Sequence, residues 1–374
     1  MEEEVKPNII LDNGSGYIKA GFTGDEAPKT VFPTCVGYPL LYDGSNKGED
    51  VKEFFIGADA ETQKEKVKYV YPIEQGVVNN WDEMEKIWGH VFFNELKVDS
   101  SEHNVMLTEA AMRPKQNKEK MAQIMFETFN VPGLYIALPA LLNIYGAGKF
   151  TGFSVELGDG VSQFVQIFDG YPKENTIISI DLGGRDLTEF MVKILYETGI
   201  FFSSSYQKEI VKKIKERSCY VALDFEEELK TYCPFDYELP DGTHVVVKDQ
   251  QIRCPEVLFK PNMIGKEGNG IGQTCCDSIE KCKSDVRKEL YNCVVLSGGN
   301  SMYNGLPERL IKEIKAFAPE SMKEEVKVIA SPERKFNAWI GGNILSSIST
   351  FKNQWITKTE YEESGETIVH RQKI

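Results

Sequence analysis

The sequence predicts an α/β protein made of two halves of like design, and three observations carry that expectation. A short aliphatic run, Asn8 to Asp12, stops at the turn signal Asn13-Gly14-Ser15-Gly16 and is followed by the strand-like Tyr17-Ile18-Lys19-Ala20-Gly21-Phe22, which is the grammar of a β-hairpin. The same grammar recurs mid-chain, with Phe153 to Leu157, the turn Gly158-Asp159-Gly160, and Val161 to Ile167. Elsewhere apolar residues fall at helical spacing, so that strands alternate with helices.

Asp82 to Leu96 puts Met84, Ile87, Trp88 and Val91 on one helical face, and Asn117 to Phe129 does the same with Met121, Ile124, Met125 and Phe129. Asp186 to Glu197 and Gln207 to Glu216 follow the second hairpin with comparable periodicity. A strand ending at Leu138 gives way to a helix opened by Pro139, because the first helical turn tolerates proline. Thr176 to Ile180 is an aliphatic run ended by Asp181 ahead of Gly183-Gly184, and Val294 to Ser297 runs into Gly298-Gly299. Trp339-Ile340-Gly341-Gly342-Asn343 reads as another Gly-Gly turn, or as a packing point between domains. Tyr38 to Val51 mixes turn residues, charge and a few apolars, and reads as a mobile surface loop. No low-complexity segment or long linker separates these parts, so the domains are expected to interrupt one another.

With 374 residues, 41% hydrophobic and 27% charged, the chain is long enough for two large domains and unlike disordered or fibrous classes. Its start lacks the features of a signal peptide and no apolar run reaches membrane-spanning length, so an intracellular soluble protein without membrane insertion is expected. Eight cysteines scattered through so long a chain read as reduced thiols, and Cys275-Cys276 with Cys282 lacks the spacing and nearby histidines of a zinc site. A net charge of −14 argues against a nucleic-acid footprint and favours basic protein partners. Glu2-Glu3-Glu4 reads as a solvated terminus, with an acidic docking tail as the alternative.

Glycine turns can hold phosphates, since glycine lets consecutive backbone N–H groups approach the oxygens. Gly14-Ser15-Gly16 and Gly158-Asp159-Gly160 are two such turns, expected to clamp a phosphate tail from both sides of a cleft, with Ser15 adding a hydroxyl and Lys19 a charge. Asp12 and Glu156 end the strands entering these turns, where carboxylates suit a hydrated divalent metal that bridges phosphates. Asp181 is a third strand-end acid expected to converge with them.

These residues carry a resemblance. The chain is similar to actin along nearly its whole length, through Asp12-Asn13-Gly14-Ser15-Gly16, Asn80-Trp81-Asp82-Glu83-Met84-Glu85-Lys86-Ile87-Trp88, Gln123 to Pro132, Cys219-Tyr220-Val221-Ala222-Leu223-Asp224-Phe225, Pro332-Glu333-Arg334-Lys335 and Ile368-Val369-His370-Arg371. The resemblance implies the fold of actins, Hsp70 chaperones and sugar kinases: two duplicated, RNase H-like halves hinged around a nucleotide cleft. It implies a small domain of residues 1–146 and 338–374, with 34–70 as its loop-bearing part, and a large domain of 147–337 with 183–267 inserted. It implies ATP or ADP with Mg²⁺ or Ca²⁺. The phosphates would rest on Gly14, Ser15, Gly16, Tyr17, Lys19, Asp159, Gly160 and Val161. The base and ribose would meet Gly184, Lys212, Lys215, Glu216, Gly298, Gly299, Met302, Tyr303 and Lys335. Lys212 stands where the family usually has arginine and Asn300 where it has threonine.

Other departures bear on chemistry and assembly. Pro139 stands at the position of the glutamine that orients the attacking water in actins, and proline has no side-chain donor or acceptor for that task. Glu156 replaces an aspartate and Gln163 a histidine, which removes a group able to share a proton near neutral pH. Glu156 and Gln163 are therefore the catalytic positions of a weakened site. Lys266 and Glu267, after Met263-Ile264-Gly265, put charge where an apolar plug usually continues; Thr231–Tyr237 is shorter than usual, and Gln75 replaces a histidine. The resemblance implies a cytoskeletal, cytoplasmic protein that polymerises or co-assembles with actin-like protomers and meets actin-binding proteins, with weak self-polymerisation and a nuclear location also open. The alternative is a non-hydrolysing actin-related subunit of a larger complex.

Overall fold

In the computed structural model, which describes residues 6–40 and 52–372, the first glycine hairpin forms as its residue types dictate. Strands Ile9–Asn13 and Tyr17–Phe22 pair antiparallel with Asp12 opposite Lys19. Ile9, Ile10 and Leu11 are all fully buried, so this strand, central in a mixed sheet, is covered on both faces. Its other edge pairs in parallel with Val105–Thr108, which pairs in parallel with Gly133–Ala137. The complete sheet runs Ile356–Thr357, Gly133–Ala137, Val105–Thr108, Ile9–Asn13, Tyr17–Phe22, Thr30–Pro33.

Helices Trp81–Gly89 and Lys115–Gln123 form where the periodicity places them, and each continues as a π-helical turn, at His90–Leu96 and Ile124–Thr128. Asn80 starts the first of them by accepting from the Glu83 N–H at 3.3 Å. Their apolar faces, Met84, Ile87, Trp88 and Val91 with Met121, Ile124, Met125 and Phe129, pack with Ile9, Leu11, Val105 and Leu107 into one core. A small sheet of Phe55–Ile56, Val36–Pro39 and Val67–Val70 precedes them. Most of the 38–51 loop, and the acidic run at residues 2–4, lie outside the described residues.

The second glycine hairpin comprises Gly152–Leu157 and Ser162–Phe168, in a sheet that runs Tyr171–Pro172, Ser162–Phe168, Gly152–Leu157, Val294–Ser297, Val328–Ile329. Ile178–Ile180 also pairs with Ser162–Phe168, antiparallel, with Gln163 opposite Ser179. Helix Gly184–Leu195 buries Leu187, Met191, Ile194 and Leu195, and Ser205–Ser218, opened by a Ser204/Gln207 capping box, buries Ile210, Val211 and Ile214.

By its internal contacts the chain falls into two units: Met1–Ser154 with Ile167–Lys173 and Phe336–Ile374, and Val155–Gln166 with Glu174–Lys335. Each is therefore assembled from separated stretches of sequence.

Gly341 and Gly342 are not a turn. They lie inside helix Asn337–Ser347, where glycine lets that helix close on Pro139–Gly146. A Cβ at Gly341 would fall 1.8 Å from the Leu142 carbonyl oxygen, and one at Gly342 would lie 2.9 Å from Ile10 Cγ2. Glycine costs about 1 kcal/mol relative to alanine in an ordinary helix interior, so an exposed helical glycine gains from Gly→Ala. At Gly341 the sign reverses: Gly341→Ala is expected to destabilise by about 2 kcal/mol or more through overpacking against backbone, read as a lowered urea midpoint at unchanged slope.

Candidate functional site

The first turn is held by its strand neighbours. Asp12 Oδ2 accepts from Lys19 Nζ at 2.7 Å across the hairpin, and Asp12 Oδ1 accepts from the Thr108 hydroxyl at 2.8 Å. Thr108 Oγ1 also accepts from the Asn13 N–H at 2.9 Å, and Asn13 Nδ2 donates to the Thr108 carbonyl at 3.2 Å. The buried Trp88 indole donates to Asn13 Oδ1 at 3.1 Å. Thr34 closes the other side, its hydroxyl donating to the Gly14 carbonyl at 2.7 Å and its N–H to the Gly16 carbonyl at 3.1 Å. A Cβ on Gly14 would sit 2.5 Å from the Tyr17 carbonyl oxygen and 3.3 Å from Lys19 Nζ. Gly14, Ser15, Gly16, Tyr17 and Lys19 thus form one buttressed turn.

The second turn is closed by the Gly158 N–H donating to the Val161 carbonyl at 3.0 Å. The Gly183-Gly184 segment packs directly on it: the Gly184 N–H donates to the Gly158 carbonyl at 3.0 Å and the Arg185 N–H to the Asp159 carbonyl at 2.9 Å. A Cβ at Gly183 would lie 2.3 Å from the Asp159 carbonyl oxygen. Arg185 pairs with Asp159 at 3.6 Å, and the buried Lys215 ammonium donates to the Gly184 carbonyl at 2.6 Å. Lys212 pairs with Glu209 at 3.8 Å one helical turn away.

Gly298, at φ 89°, is pressed against the Leu157 carbonyl, 2.3 Å from where a Cβ would stand. Arg334 fixes the same turn, donating from Nε and Nη2 to the Ser301 carbonyl at 3.2 and 3.0 Å. Tyr303 is buried, and burial, reinforced by the nearby carboxylates of Glu216 and Asp159, pushes its hydroxyl well above the usual range. Asp159, Gly184, Lys215, Glu216, Gly298 and Tyr303 therefore gather around the end of strand Gly152–Leu157. Glu216, Gly299 and Lys335 are exposed beside them and Met302 is half-buried.

Gln163 is almost wholly buried and donates from Nε2 to the Ser179 hydroxyl at 3.3 Å. Asp181 is exposed, and among the described residues no three His, Cys, Asp or Glu side chains gather as metal ligands. Glu156 is half-buried on its strand, and Pro139 is the first residue of helix Pro139–Gly146, its side chain buried. Asp12, held by Lys19 and Thr108, is the carboxylate of this turn that could accept from a hydrated divalent cation.

Two residues absent from the sequence reading matter here, Thr108 and Glu109. Their signal is the one that marks Asp12, namely polar residues directly after an apolar strand run. Glu109 donates its N–H to the Ala137 carbonyl at 2.9 Å, beside the start of the Pro139 helix, while its buried Oε1 has no hydrogen-bond partner. Burial raises its carboxyl to about 7, with Lys118 and Arg113 opposing the shift.

A family model described as Actin matches residues 3–373. The chain belongs to the actin family, whose members generally bind a nucleotide and a divalent cation. No helix among the described residues is long and apolar enough to cross a membrane.

Glu109 gives a pH prediction. Because its folded carboxyl is raised above the unfolded one, the folded state binds more protons, and stability falls as pH rises from about 4.5 to about 7. Glu109→Gln, neutral throughout, is expected to flatten that part of the stability profile. At pH 8 it should exceed the parent by on the order of 2 kcal/mol in urea unfolding.

Proposed function

We propose that this chain is an ATP-binding, actin-like cytoskeletal protein that polymerises or co-assembles with actin-like protomers, with hydrolysis weakened at Pro139. The observation that carries the reading is the pair of buttressed glycine turns, one ended by Asp12 and Lys19 and the other packed against Gly184 and Lys215. Ser15, Gly16, Tyr17 and Lys19 of the first turn, and Asp159, Gly160 and Val161 of the second, hold the phosphates. Gly184, Lys212, Lys215, Glu216, Gly298, Gly299, Met302, Tyr303 and Lys335 take the ribose and base. Hinged halves around that nucleotide belong to the same proposal, as do a cytoplasmic location and partners among actin-binding proteins.

The metal, Mg²⁺ or Ca²⁺, supplies charge neutralisation at the phosphate oxygens. What the chain does is exchange partners. With nucleotide bound, Lys19 would be the group to meet a phosphate oxygen and Asp12 Oδ2 the acceptor for a hydrated cation, with Thr108 holding Oδ1 in place. Cation and phosphate binding would thereby be coupled through a single ion pair. Glu156, near the end of strand Gly152–Leu157, would be the other carboxylate for the cation.

Turnover is a separate matter. Pro139 contributes no donor or acceptor, and Gln163 is engaged with Ser179 rather than carrying an imidazole. Loss of one preorganised polar group commonly costs roughly 10²–10³ in rate. The same observation favours the second reading, a non-hydrolysing actin-related subunit of a larger complex.

Calorimetry with Mg-ATP is expected to show binding that Asp12→Ala weakens by about tenfold or more, the scale of losing a charge-assisted hydrogen-bonding group. A folded protein with no affinity for ATP or ADP overturns the reading. In single-turnover phosphate release, with occupancy measured in parallel, Pro139→Gln is expected to raise the rate at unchanged nucleotide affinity. A parent rate equal to that of conventional actin filaments overturns the weakened-hydrolysis reading.

A further inference from the structure

The resemblance sets Lys266 in a segment that is apolar in actins, where its charge is a burden on any apolar contact. In the structure the charge is already met within the chain. Lys266 Nζ lies 2.8 Å from Asp186 Oδ1 and also donates to the Asp181 backbone carbonyl. The turn delivering it is closed by its own backbone: the Gly265 N–H donates to the Asn262 carbonyl at 3.0 Å and the Lys266 N–H to the Pro261 carbonyl at 3.2 Å, with Gly265 left-handed at φ 74°. Met263 and Ile264 ride on this turn half-buried, while Gly265 and Glu267 are exposed.

The partner is as telling as the lysine. Asp186 divides its two oxygens: Oδ1 faces Lys266, and Oδ2 accepts from the Gly183 N–H at 2.8 Å, capping helix Gly184–Leu195. The segment so capped is the one whose Gly184 and Arg185 N–H groups bond to Gly158 and Asp159 of the second glycine turn, and whose Gly184 carbonyl holds Lys215. Arg185, the other charge beside Asp186 in sequence, pairs with Asp159 instead. One carboxylate and one carbonyl therefore join the Pro261–Lys266 turn to the Asp181–Asp186 segment.

We propose that Lys266 is a latch that holds the Pro261–Glu267 turn down on the Asp181–Asp186 segment, so that exposure of Met263 and Ile264 is linked to occupancy of the glycine turn at Gly158–Gly184. The linkage half rests on the reading that Gly184 lines the nucleotide site; the latch itself does not. Coupling of this kind is reciprocal: what tightens the Gly183-Gly184 segment tightens the turn, and release of the turn loosens the segment. An apolar residue at 266 has no such hold on Asp186, so this device belongs to this chain's own departure from the family pattern.

The test is hydrogen–deuterium exchange over peptides covering 260–268 and 181–187, in the full chain without nucleotide and with saturating Mg-ATP, comparing the parent with Lys266→Met and Lys266→Arg. Without nucleotide, Lys266→Met is expected to exchange the 260–268 amides about fivefold faster or more, with Lys266→Arg close to the parent, and roughly 0.5 M salt is expected to move the parent towards Lys266→Met. Equal exchange in the parent and Lys266→Met overturns the latch, whatever ATP does. With Mg-ATP the parent is expected to gain protection over 260–268 that Lys266→Met does not. Equal gains in both overturn the linkage. Calorimetry on the same samples separates the two ideas: absence of ATP binding overturns the nucleotide reading and the linkage with it, while the nucleotide-free comparison still decides the latch.

Discussion

The geometry of the first turn depends on one hydroxyl. Parallel pairing of Ile9–Asn13 with Val105–Thr108 ends at Leu11 and Leu107, and beyond that point Thr108 replaces the backbone ladder with side-chain bonds. Its Oγ1 donates to Asp12 and accepts from the Asn13 N–H, and its carbonyl takes the Asn13 amide. Asp12 is thereby fixed before Lys19 reaches it from the opposite strand. The same arrangement ties the turn to the core, since Asn13 also receives the indole N–H of Trp88, a fully buried residue on a core helix. Packing of that helix therefore sets where the glycine turn stands.

The second turn is fixed by another means, backbone against backbone. Gly183 lies over the Asp159 carbonyl and Gly298 over the Leu157 carbonyl, both closer than any Cβ allows. Two loops from distant parts of the sequence are thus pressed onto one strand end. Charge then completes what shape begins. Lys215 is buried, and burial of an unpaired ammonium is costly, so its bond to the Gly184 carbonyl holds the loop as firmly as the loop holds the lysine.

Much of this was legible in the sequence because it rests on local patterns. Both hairpins, the strand-end acids, the proline-initiated helix and the four helical faces follow from alternation, 3.6-residue spacing and turn residues. The family followed from motifs spread along the chain. What was not legible depends on long-range approach. Gly341-Gly342 has the composition of a turn, and only the neighbouring Leu142 backbone makes it the flat face of a helix. Lys266 reads as a bare charge until Asp186, 80 positions earlier in the chain, is brought to it. Glu109 looks like an ordinary surface acid, and its raised carboxyl comes from burial that no local pattern announces. Asp181 shows the converse, a strand-end acid with the right local signature that the fold leaves exposed.

The charges of the candidate site share one property: its cations already have partners. Lys19 holds Asp12, Arg185 holds Asp159, Lys212 holds Glu209, and Lys215 holds a carbonyl. In a chain of net charge −14, an incoming polyanion is opposed at long range and gains locally only by exchanging partners. Each exchange strands a carboxylate, and a stranded, partly buried carboxylate needs a new cation. A polyanion arriving with its own divalent ion meets both demands together, whereas the bare anion meets one and worsens the other. Lys215 is the exception, since its carbonyl partner carries no net charge to strand. Pro139 takes part in none of these exchanges. Its side chain is buried at the head of the Pro139–Gly146 helix, so the ion pairs around the two glycine turns are made by other groups.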